Sequence, residues 1–329
     1  MTPAARDIAR RDLLARAGWD SATARPLAGD ASARRYARLT RGDATAVLMD
    51  APPGSGEEIA PFLRIADHLA LLGLSPPRAI AADAAAGFLL LEDLGDLLLA
   101  RLAAADPATA ATAYGVAVDV LVHLQRAPVP PGLPDLTAQD WAGAAGLAVT
   151  AYARAPEAAA DDLTRPLAAA LRAHADGPRV LILRDYHAEN LLWLPGRAGL
   201  ARIGLLDFQL AQGGQPAYDL VSLIQDARRD VPADLAAALA ERFRRATGAT
   251  GAEFAAALAV LGAQRALRIL GVFARLAGAG KPQYLPLLPR VWGQLQANLA
   301  YPALGAVAGA VDRHLPAPTP DHLARLRAA

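Results

Sequence analysis

The sequence predicts an α+β chain in which a small antiparallel sheet comes first and a mainly helical part follows. Short apolar runs separated by turns fill the first 95 residues, as expected for strands. Longer stretches with apolar residues at helical spacing dominate from residue 96 onward. Three very short apolar runs between 180 and 206 interrupt these helices. This change of character near residue 95 separates a strand-rich N-terminal part from a helical C-terminal part.

The elements of the N-terminal part follow from this spacing and from the turn residues between them. We expect helices over 4–19 and 57–73, and strands over 22–27, 34–39, 45–50 and 88–91. In the second helix, Phe62, Ile65 and Leu69 lie at helical spacing, and a glycine ends the helix. The turn at 41–43 contains glycine and joins two strands as a hairpin.

The C-terminal part is expected to be helical around one short irregular region. We expect helices over 108–126, 141–152, 163–175, 216–228, 234–247 and 253–277. We expect buried strands over 180–183, 191–194 and 203–206, because each is a short apolar run bounded by polar or turn residues. These strands present polar side chains at their ends.

The polar side chains that follow these short strands are of types that can serve together in one catalytic site. Asp185 follows the first strand, Asn190 lies five residues later, and Asp207 ends the third strand. Phosphoryl transfer from a metal nucleotide requires a carboxylate that orients and deprotonates the attacking hydroxyl, together with oxygen ligands for Mg²⁺. We therefore predict Asp185 as the base and Asn190 and Asp207 as the Mg²⁺ ligands. Ordinary turn-forming Asp and Asn residues are the alternative interpretation.

The spacing D-x-x-x-x-N, followed by an apolar strand that ends in D-F, is the catalytic-loop pattern of protein kinases. Three positions depart from that pattern. Gln209 stands where it has glycine, and Leu183 stands where it has histidine. In the strand 45–50, Met49 occupies the position of the phosphate-binding lysine. Lys281 is the only lysine of the chain, so that position has no nearby lysine to replace it.

We place the nucleotide phosphates near the small-residue loop between the strands 22–27 and 34–39. Such a loop can donate backbone N–H groups to phosphate oxygens, and a plain hairpin connection is the alternative. Either an arginine beside the loop supplies the charge that the lysine would carry, or the metal ion and backbone donors suffice. The predicted nucleotide-side residues of this region are Gly29, Asp30, Ser32, Arg34, Arg35 and Met49.

Further motifs extend the pattern over most of the chain. They are R-D-Y-H-A-E-N (184–190), L-L-D-F-Q (205–209), P-A-Y-D-L (216–220), G-D-A-S-A-R-R-Y (29–36), V-L-M-D-A-P-P (47–53), F-L-L-L-E-D-L-G-D (88–96), Q-D-A-R-R-D-V (225–231), R-I-L-G-V-F-A-R-L (268–276) and K-P-Q-Y-L (281–285). With these motifs the chain resembles the aminoglycoside phosphotransferase branch of the kinase-like folds. Within that branch it resembles the bacterial N-acetylmuramate/N-acetylglucosamine anomeric kinases of peptidoglycan recycling.

The resemblance implies a two-lobed protein-kinase-like fold, with a nucleotide-binding N-lobe over 1–95 and a C-lobe over 96–329 that holds the catalytic loop and the metal and sugar sites. It implies ATP and Mg²⁺ as cofactors. The acceptor would be the C1 hydroxyl of N-acetylmuramate, N-acetylglucosamine or both, and the product a 1-phosphate. Glu92 and Leu94 would lie in the hinge between the lobes, beside the adenine edge. A kinase of another small-molecule hydroxyl (an aminoglycoside or a choline-like alcohol) is one alternative, and a catalytically dead nucleotide-binding regulator is another.

Polar residues near these motifs are candidates for the acceptor side. They are His187, Glu189, Asp226, Arg228 and Arg265. A buried Arg265 needs an anionic partner, which could be a protein carboxylate or the lactyl carboxylate of N-acetylmuramate. Loop packing, and an ion pair within the helix 216–228, are the alternative roles for the others. From the resemblance, Asp219 is expected to accept hydrogen bonds from the backbone of the loop around Asp185.

Composition excludes several classes of function. The formal net charge is +1, with 33 basic and 32 acidic residues and no long run of like charge, so we expect no nucleic-acid partner. The chain has no cysteine, which excludes disulfides and thiolate metal sites and fits a cytoplasmic location. We expect no secretory signal, no apolar stretch long enough to span a bilayer and no membrane partner. The sequence leaves open the preferred sugar, the configuration at C1, ATP versus GTP and the oligomeric state.

Overall fold

The computed structural model describes residues 2–27, 34–55 and 59–327. The chain divides into two compact units. The first unit consists of Met1–Val120 and Ala188–Ala211, and the second consists of Leu121–His187 and Gln212–Ala329. The chain therefore enters the second unit, returns to the first for one short segment, and then completes the second. The lobe boundary near residue 95, which the kinase-like fold implies, stays a prediction.

In the described residues five strands and two helices come first, and helices dominate later, as the sequence predicts. In chain order the strands are β1 (Thr23–Pro26), β2 (Arg35–Arg41), β3 (Ala44–Asp50), β4 (Ala79–Asp83), β5 (Phe88–Glu92), β6 (Val180–Ile182), β7 (Leu191–Trp193), β8 (Ile203–Leu205) and β9 (Gln212–Gly214). The α-helices are α1 (Pro3–Arg16), α2 (Ile59–Leu71), α3 (Leu99–Ala105), α4 (Pro107–Leu124), α5 (Ala138–Ala145), α6 (Ala160–His174), α7 (Tyr218–Ile224), α8 (Ala233–Thr247), α9 (Gly251–Gly278), α10 (Leu288–Leu299), α11 (Gly305–His314) and α12 (Pro320–Arg327).

The first unit is built on an antiparallel sheet with the strand order β1-β2-β3-β5-β4. The inner strand β5 is almost wholly buried, which explains its unbroken apolar run. In β3, Met49 lies opposite Tyr36 on one side and Leu89 on the other. The helix α1 packs on the sheet through a cluster that includes Leu13 and Phe88. The predicted N-terminal sheet is thereby confirmed.

The hairpin of β7 and β8 also belongs to the first unit. The two strands are antiparallel, with Leu191 opposite Leu205. Antiparallel pairing brings the start of one strand to the end of the other. Asn190 precedes β7 and Asp207 follows β8, so the hairpin carries both residues at the same end. The amide N–H of Leu206 donates to the carbonyl of Asn190 at 2.9 Å and closes that end.

The second unit is helical and is organised around α9, which is 28 residues long. Most residues of α9 are buried, and α5, α6, α7 and α10 pack against it. Gly271 permits one of these contacts, since a Cβ there would lie 2.4 Å from the backbone carbon of Leu147. The short strands β6 and β9 pair antiparallel in this unit. Between α5 and α6 the chain forms a π-helical turn at Ala148–Tyr152.

Two helix predictions are wrong at their ends. The helix expected over 141–152 ends at Ala145 as α5, and the π-helical turn replaces its last part. The helix expected over 216–228 ends at Ile224 as α7, so Asp226 and Arg228 do not lie on it. The Asp226 carboxylate accepts the backbone N–H of Arg228 at 2.8 Å, and such a local bond competes with helix continuation.

Within the described residues, two helices meet the length and composition of a membrane span, which corrects the expectation that no apolar stretch is long enough. They are α4 and α9. Of the apolar window of α9, 78% is buried in the structure, and the central helix of a folded unit passes the same test. The apolar character of α9 therefore follows from its packing against its helical neighbours.

Candidate active site

Asn190 and Asp207 are brought together in the first unit. The Asn190 Nδ2 atom lies 3.5 Å from the Asp207 Oδ2 atom. The Asp207 side chain is exposed and Asn190 is half-buried. A carboxylate and an amide oxygen are ligands that Mg²⁺ accepts, and Mg²⁺ commonly takes only one or two protein ligands with phosphates and water completing its shell. Residues 2–27, 34–55 and 59–327 contain no cluster of three or more His, Cys, Asp or Glu with metal-site geometry.

The Asp207 backbone adopts a left-handed conformation, with φ of 57°. Aspartate tolerates this region better than most residues, but it is uncommon and costs energy relative to ordinary turns. The Gln209 side chain stabilises the carboxylate, because its Nε2 donates to Asp207 Oδ1 at 2.6 Å. Gln209 is the residue that stands where the kinase pattern has glycine. The sequence showed the departure but gave no signal of this hydrogen bond.

The predicted nucleotide-side residues differ in exposure. Met49 is fully buried in the sheet, and Arg34 is only 5% exposed. Arg35 is exposed at the first position of β2, opposite Asp50 of β3. Gly29, Asp30 and Ser32 lie outside the described residues.

Ion pairs hold the segment that follows β5. The Glu92 carboxylate bonds Arg78 at 3.1 Å and Arg197 of the β7–β8 connection at 2.7 Å. Asp93 and Asp96 both bond Arg38 of β2, and the hydrogen bond from Arg38 lowers the pKa of Asp96. Leu94 is half-buried beside the β7–β8 hairpin. The side chains of this segment therefore fix its backbone within the first unit.

The loop that carries Asp185 lies in the second unit and has an unusual backbone. Arg184 adopts a φ of 71°, which is rare for a residue with a long side chain. The Asp219 carboxylate accepts the backbone N–H of Leu183 at 2.6 Å and that of Arg184 at 2.9 Å. The expected role of Asp219 is therefore confirmed. Asp185 itself is half-buried, and its carbonyl accepts the N–H of His187 at 3.2 Å.

Burial dominates the electrostatics of Asp219. It raises the pKa of the Asp219 carboxyl to about 7, although the two backbone N–H donors act in the opposite direction. A buried carboxylate is costly unless its oxygens are hydrogen-bonded, and here both oxygens accept a bond. Asp219 therefore fixes the left-handed turn before Asp185 from inside the unit.

His187 and Arg228 contact each other in the second unit. The His187 Nε2 atom lies 3.1 Å from Arg228 Nη1. Burial, with the charges of Arg228 and two further arginines, lowers the pKa of His187 well below its ordinary value. A neutral imidazole is therefore expected, with Nε2 accepting a hydrogen bond from the guanidinium. Glu189, another predicted acceptor residue, is half-buried and lies in the first unit.

Asp226 and Arg265 are buried in the second unit, at 1% and 5% exposure. Arg265 Nη1 donates to the backbone carbonyl of Gln225 at 3.0 Å. Its burial lowers the pKa of Arg265, but an arginine stays charged at any physiological pH. The Asp226 Oδ2 atom lies 3.4 Å from Arg229 Nε. These contacts tie the turn after α7 to α9.

An open cavity of about 560 Å³ lies beside this turn. Its polar lining consists of Gln225, Asp230, Arg290 and Gln294. Sequence reasoning assigned none of these residues. Two of them lie within the quoted motif Q-D-A-R-R-D-V, which was the available signal, whereas nothing in the sequence pointed to the two residues of α10.

A family model described as the phosphotransferase enzyme family matches residues 23–258. The chain is 36% identical to the N-acetylmuramate/N-acetylglucosamine kinase of Caulobacter vibrioides, over 95% of this chain and 98% of that protein. It is 34% identical to the N-acetylmuramate/N-acetylglucosamine kinase of Pseudomonas aeruginosa, over 84% of this chain and 83% of that protein.

The fold is similar to a crystal structure of a choline/ethanolamine kinase family protein from Mesorhizobium loti. The TM-score is 0.61 at 18% sequence identity, and the match covers 98% of this chain and 99% of that one. At this identity the likeness concerns the fold alone.

Proposed function

The chain belongs to the phosphotransferase enzyme family, and we propose that it phosphorylates the C1 hydroxyl of N-acetylmuramate, N-acetylglucosamine or both. Membership of the family confirms the resemblance found in the sequence, and the structural likeness confirms the kinase-like fold class. The chain is a nucleotide-dependent phosphotransferase. The observation that carries the acceptor proposal is the 36% identity, over nearly the whole chain, to a relative named for these two sugars.

In this proposal Asp185 is the catalytic base. Its carboxylate orients the sugar hydroxyl and accepts its proton as the oxygen attacks phosphorus. The rigid turn before it, with Arg184 at positive φ and two N–H groups bonded to Asp219, supports this role because a base must be held in one position. A hemiacetal hydroxyl is more acidic than an ordinary alcohol, so a carboxylate of ordinary basicity suffices.

Asn190 and Asp207 are the proposed Mg²⁺ ligands. The donor set fits this ion, since it combines one exposed carboxylate with one amide at the same end of a hairpin. When bound, the ion would neutralise charge on the nucleotide phosphates. An Asn190 amide turned about its last bond would direct Oδ1 towards a cation, and the Gln209 side chain holds Asp207 in place through Oδ1.

ATP is the proposed donor, and an arginine at the start of β2 supplies the charge that the kinase pattern places on a lysine. Arg35 is exposed and Arg34 is nearly buried, so Arg35 has the easier access to a ligand. A guanidinium is always charged and binds phosphate through two N–H groups at once. The segment of Glu92 and Leu94 would meet the adenine edge through its backbone.

The acceptor would meet residues of the second unit. Asp185, His187 and Arg228 lie on connected segments there, since Arg228 bonds His187 and His187 follows the proposed base by two residues. Glu189, Asp226 and Arg265 stay candidate acceptor residues from the sequence. The buried position of the last two favours an indirect role, in which they shape the turn that presents Arg228.

We place the enzyme in the cytoplasm, where its nucleotide donor is made and where a chain without cysteine is in keeping with a reducing environment.

The experiment that tests this function is ³¹P NMR of the products formed from Mg-ATP and a panel of free sugars and alcohols. N-acetylmuramate and N-acetylglucosamine should give sugar 1-phosphates, whereas aminoglycosides and choline should give little product. Preferential phosphorylation of choline or an aminoglycoside would contradict the proposal. Absence of product from every acceptor, with normal nucleotide binding, would favour a regulatory protein instead.

A further inference from the structure

The open cavity in the second unit has the size and lining of a sugar subsite. Its volume of about 560 Å³ lies within the range of small-molecule sites, roughly 300–1,000 Å³. The turn after α7 forms one wall and α10 forms another. The amide side chains of Gln225 and Gln294 and the charged pair of Asp230 and Arg290 supply hydrogen-bonding groups for a polar ligand.

The wall of this cavity is held by paired amides. Gln225 Nε2 donates to Asn298 Oδ1 at 3.1 Å, and Asn298 Nδ2 donates to Gln225 Oε1 at 2.9 Å. Gln294 Nε2 donates to the carbonyl of Asp226 at 3.0 Å. Asn298 fits against α9 only because residue 262 is glycine, since a Cβ there would lie 2.6 Å from the amide. These bonds hold Gln225 and Gln294 in the wall of the cavity.

The cavity is linked to the loop of the proposed base by a chain of contacts within the second unit. The backbone carbonyl of Asp226 accepts a hydrogen bond from the Gln294 side chain. The carboxylate of the same residue accepts the backbone N–H of Arg228. Arg228 in turn bonds His187, which lies two residues after Asp185. The same short turn therefore lines the cavity on one side and contacts the Asp185 loop on the other.

Arg290 and Asp230 form a two-point ion pair at the cavity. Arg290 Nε lies 2.6 Å from Asp230 Oδ1, and Nη2 lies 3.0 Å from Oδ2. The side chain of Asp230 is 82% exposed, whereas that of Arg290 is 28% exposed. The carboxylate thus approaches the guanidinium from the solvent side. An exposed ion pair contributes little to stability, so another carboxylate can replace Asp230 at small cost.

We propose that Arg290 determines specificity for an acidic acceptor, by binding the carboxylate of N-acetylmuramate in the place that Asp230 occupies when no acidic sugar is bound. This inference rests on the proposed function, because it takes an N-acetyl amino sugar as the acceptor. Arg228 and Arg265 are less suited to the carboxylate, since the first bonds His187 and the second is 5% exposed and bonds a backbone carbonyl.

The test compares kcat/KM for N-acetylmuramate with that for N-acetylglucosamine in four proteins: wild type, Arg290→Gln, Asp230→Asn and the double variant. Arg290→Gln should lower the ratio of the two constants about tenfold, the low end expected for loss of a charge-assisted bond. Asp230→Asn should raise the ratio by up to about fivefold, because it frees the guanidinium from a weak competitor. In the double variant Asp230→Asn should no longer raise the ratio, because the two residues act as one unit.

Arg244 provides a matched control. It makes the same two-point bond to a carboxylate of the second unit, with Nε and Nη2 at 2.7 and 2.8 Å from Glu241, but it does not line the cavity. Arg244→Gln should leave the ratio at the wild-type value. If Arg290→Gln leaves the ratio unchanged, the proposal is overturned. It is also overturned if Asp230→Asn raises the ratio equally with and without Arg290, since Asp230 would then repel the anion directly.

Calorimetric titration of each protein with the two sugars separates this inference from the proposed function. Wild-type protein that binds both sugars but phosphorylates neither would contradict the proposed function, and the binding constants of the variants would still test Arg290. Wild-type protein that phosphorylates both sugars, with binding unaffected by Arg290→Gln, would contradict the inference alone. Wild-type protein that binds neither sugar would overturn both.

Discussion

Asp207 of the first unit follows β8 and Asp219 of the second lies in the first turn of α7, and the surroundings of these two carboxylates are opposite. Asp207 is exposed, and the side chain of Gln209 donates one hydrogen bond to it. Asp219 is 2% exposed, and its oxygens accept two backbone N–H groups. An exposed carboxylate can bind an incoming cation, whereas a buried one with both oxygens bonded acts on its own chain. The exposure of Asp207 is in keeping with its proposed role as a metal ligand, whereas the bonds of Asp219 position its own loop.

The largest effect should come from Asp207→Ala, which tests the exposed carboxylate as the proposed Mg²⁺ ligand. Loss of the only anionic ligand proposed for Mg²⁺ should abolish productive Mg-ATP binding. Asn190→Ala removes a neutral ligand, and raised Mg²⁺ should partly restore its activity. Steady-state rates over a range of Mg²⁺ concentrations give both results, with Asp43→Ala in the exposed β2–β3 turn as a control. The same Mg²⁺ dependence in both variants as in wild type would place the metal elsewhere.

The second-largest effect should come from a change at Asp185, the proposed base. Asp185→Asn should lower kcat by roughly 10²–10⁴-fold, the usual weight of a positioned general base, and should change nucleotide affinity little. Turnover near the wild-type level would remove Asp185 from this role. Asp176→Asn, an ion-paired aspartate of the same unit, is the control for a loss of charge alone.

The variant Asp219→Asn tests the role of the buried carboxylate through the pH dependence of the free energy of unfolding. The folded-state pKa of about 7 lies above the ordinary value of 3.8, so the folded protein binds the extra proton between these values. The resulting stability is fully present below about pH 4 and is lost as pH rises through 7. The free energy of unfolding of wild type, relative to Asp219→Asn, should therefore fall over this interval by at most roughly 4 kcal/mol.

Chemical denaturation at several pH values measures this difference. Asp140→Asn is the control with the opposite sign, because hydrogen bonds from Thr137 lower the pKa of the exposed Asp140. Its contribution should diminish as pH falls rather than as pH rises. A difference between wild type and Asp219→Asn that does not vary with pH would show that Asp219 is ionised throughout, and the assignment of its burial as the dominant influence would be wrong.

A smaller change should follow from Gln209→Met, which keeps the length of the side chain and removes the N–H donor. Residues that orient a metal ligand typically alter metal affinity by about 10–100-fold, and we expect the lower end at an exposed site. The apparent affinity for Mg²⁺ should fall about tenfold, with kcat at saturating Mg²⁺ largely retained. Manganese binding followed by electron paramagnetic resonance provides a readout without turnover, and Leu210→Ala is the neighbouring exposed control. An unaltered affinity would leave Gln209 without a part in the metal site.

The smallest effects should come from Arg34 and Arg35, which lie at the start of β2. Arg34→Ala and Arg35→Ala should each raise the KM for ATP by several-fold, more than the KM for the sugar, because each removes a charge that binds phosphate. Arg25→Ala, an exposed arginine on the neighbouring β1, is the control. If both single variants and the double variant keep normal ATP kinetics, neither Arg34 nor Arg35 replaces the missing lysine.

The sequence was most informative where a pattern was local. The end positions of the short strands around Asn190 and Asp207 followed from apolar runs bounded by polar residues, and the hairpin then required the two residues to meet. The sequence analysis also left out the helices α10, α11 and α12. The other elements missed were short or rich in alanine and glycine: β4, β9 and α3. Such segments have too few large apolar residues to show a period.

Longer-range geometry could not be predicted in the same way. The predicted helix 216–228 extends four residues beyond the observed end of α7. The Asp226 carboxylate accepts a backbone N–H there, and apolar periodicity does not reveal such a hydrogen bond. Arg290 meets Asp230 across sixty residues of sequence, so only the packing of α10 reveals the pair. The hydrogen bond from Gln209 to Asp207 spans two residues, but it depends on the positive φ of Asp207.

The central claim is transfer of phosphate to the anomeric oxygen. It is tested most directly by comparing free N-acetylmuramate and N-acetylglucosamine with their 1-methyl glycosides, in which that oxygen is blocked, using wild-type protein and Mg-ATP. Nucleotide consumption and ³¹P NMR of the products give the result. We predict rapid formation of 1-phosphates from the free sugars and none from the glycosides. Phosphorylation of the glycosides at a rate like that of the free sugars would show transfer to another hydroxyl and would contradict the account.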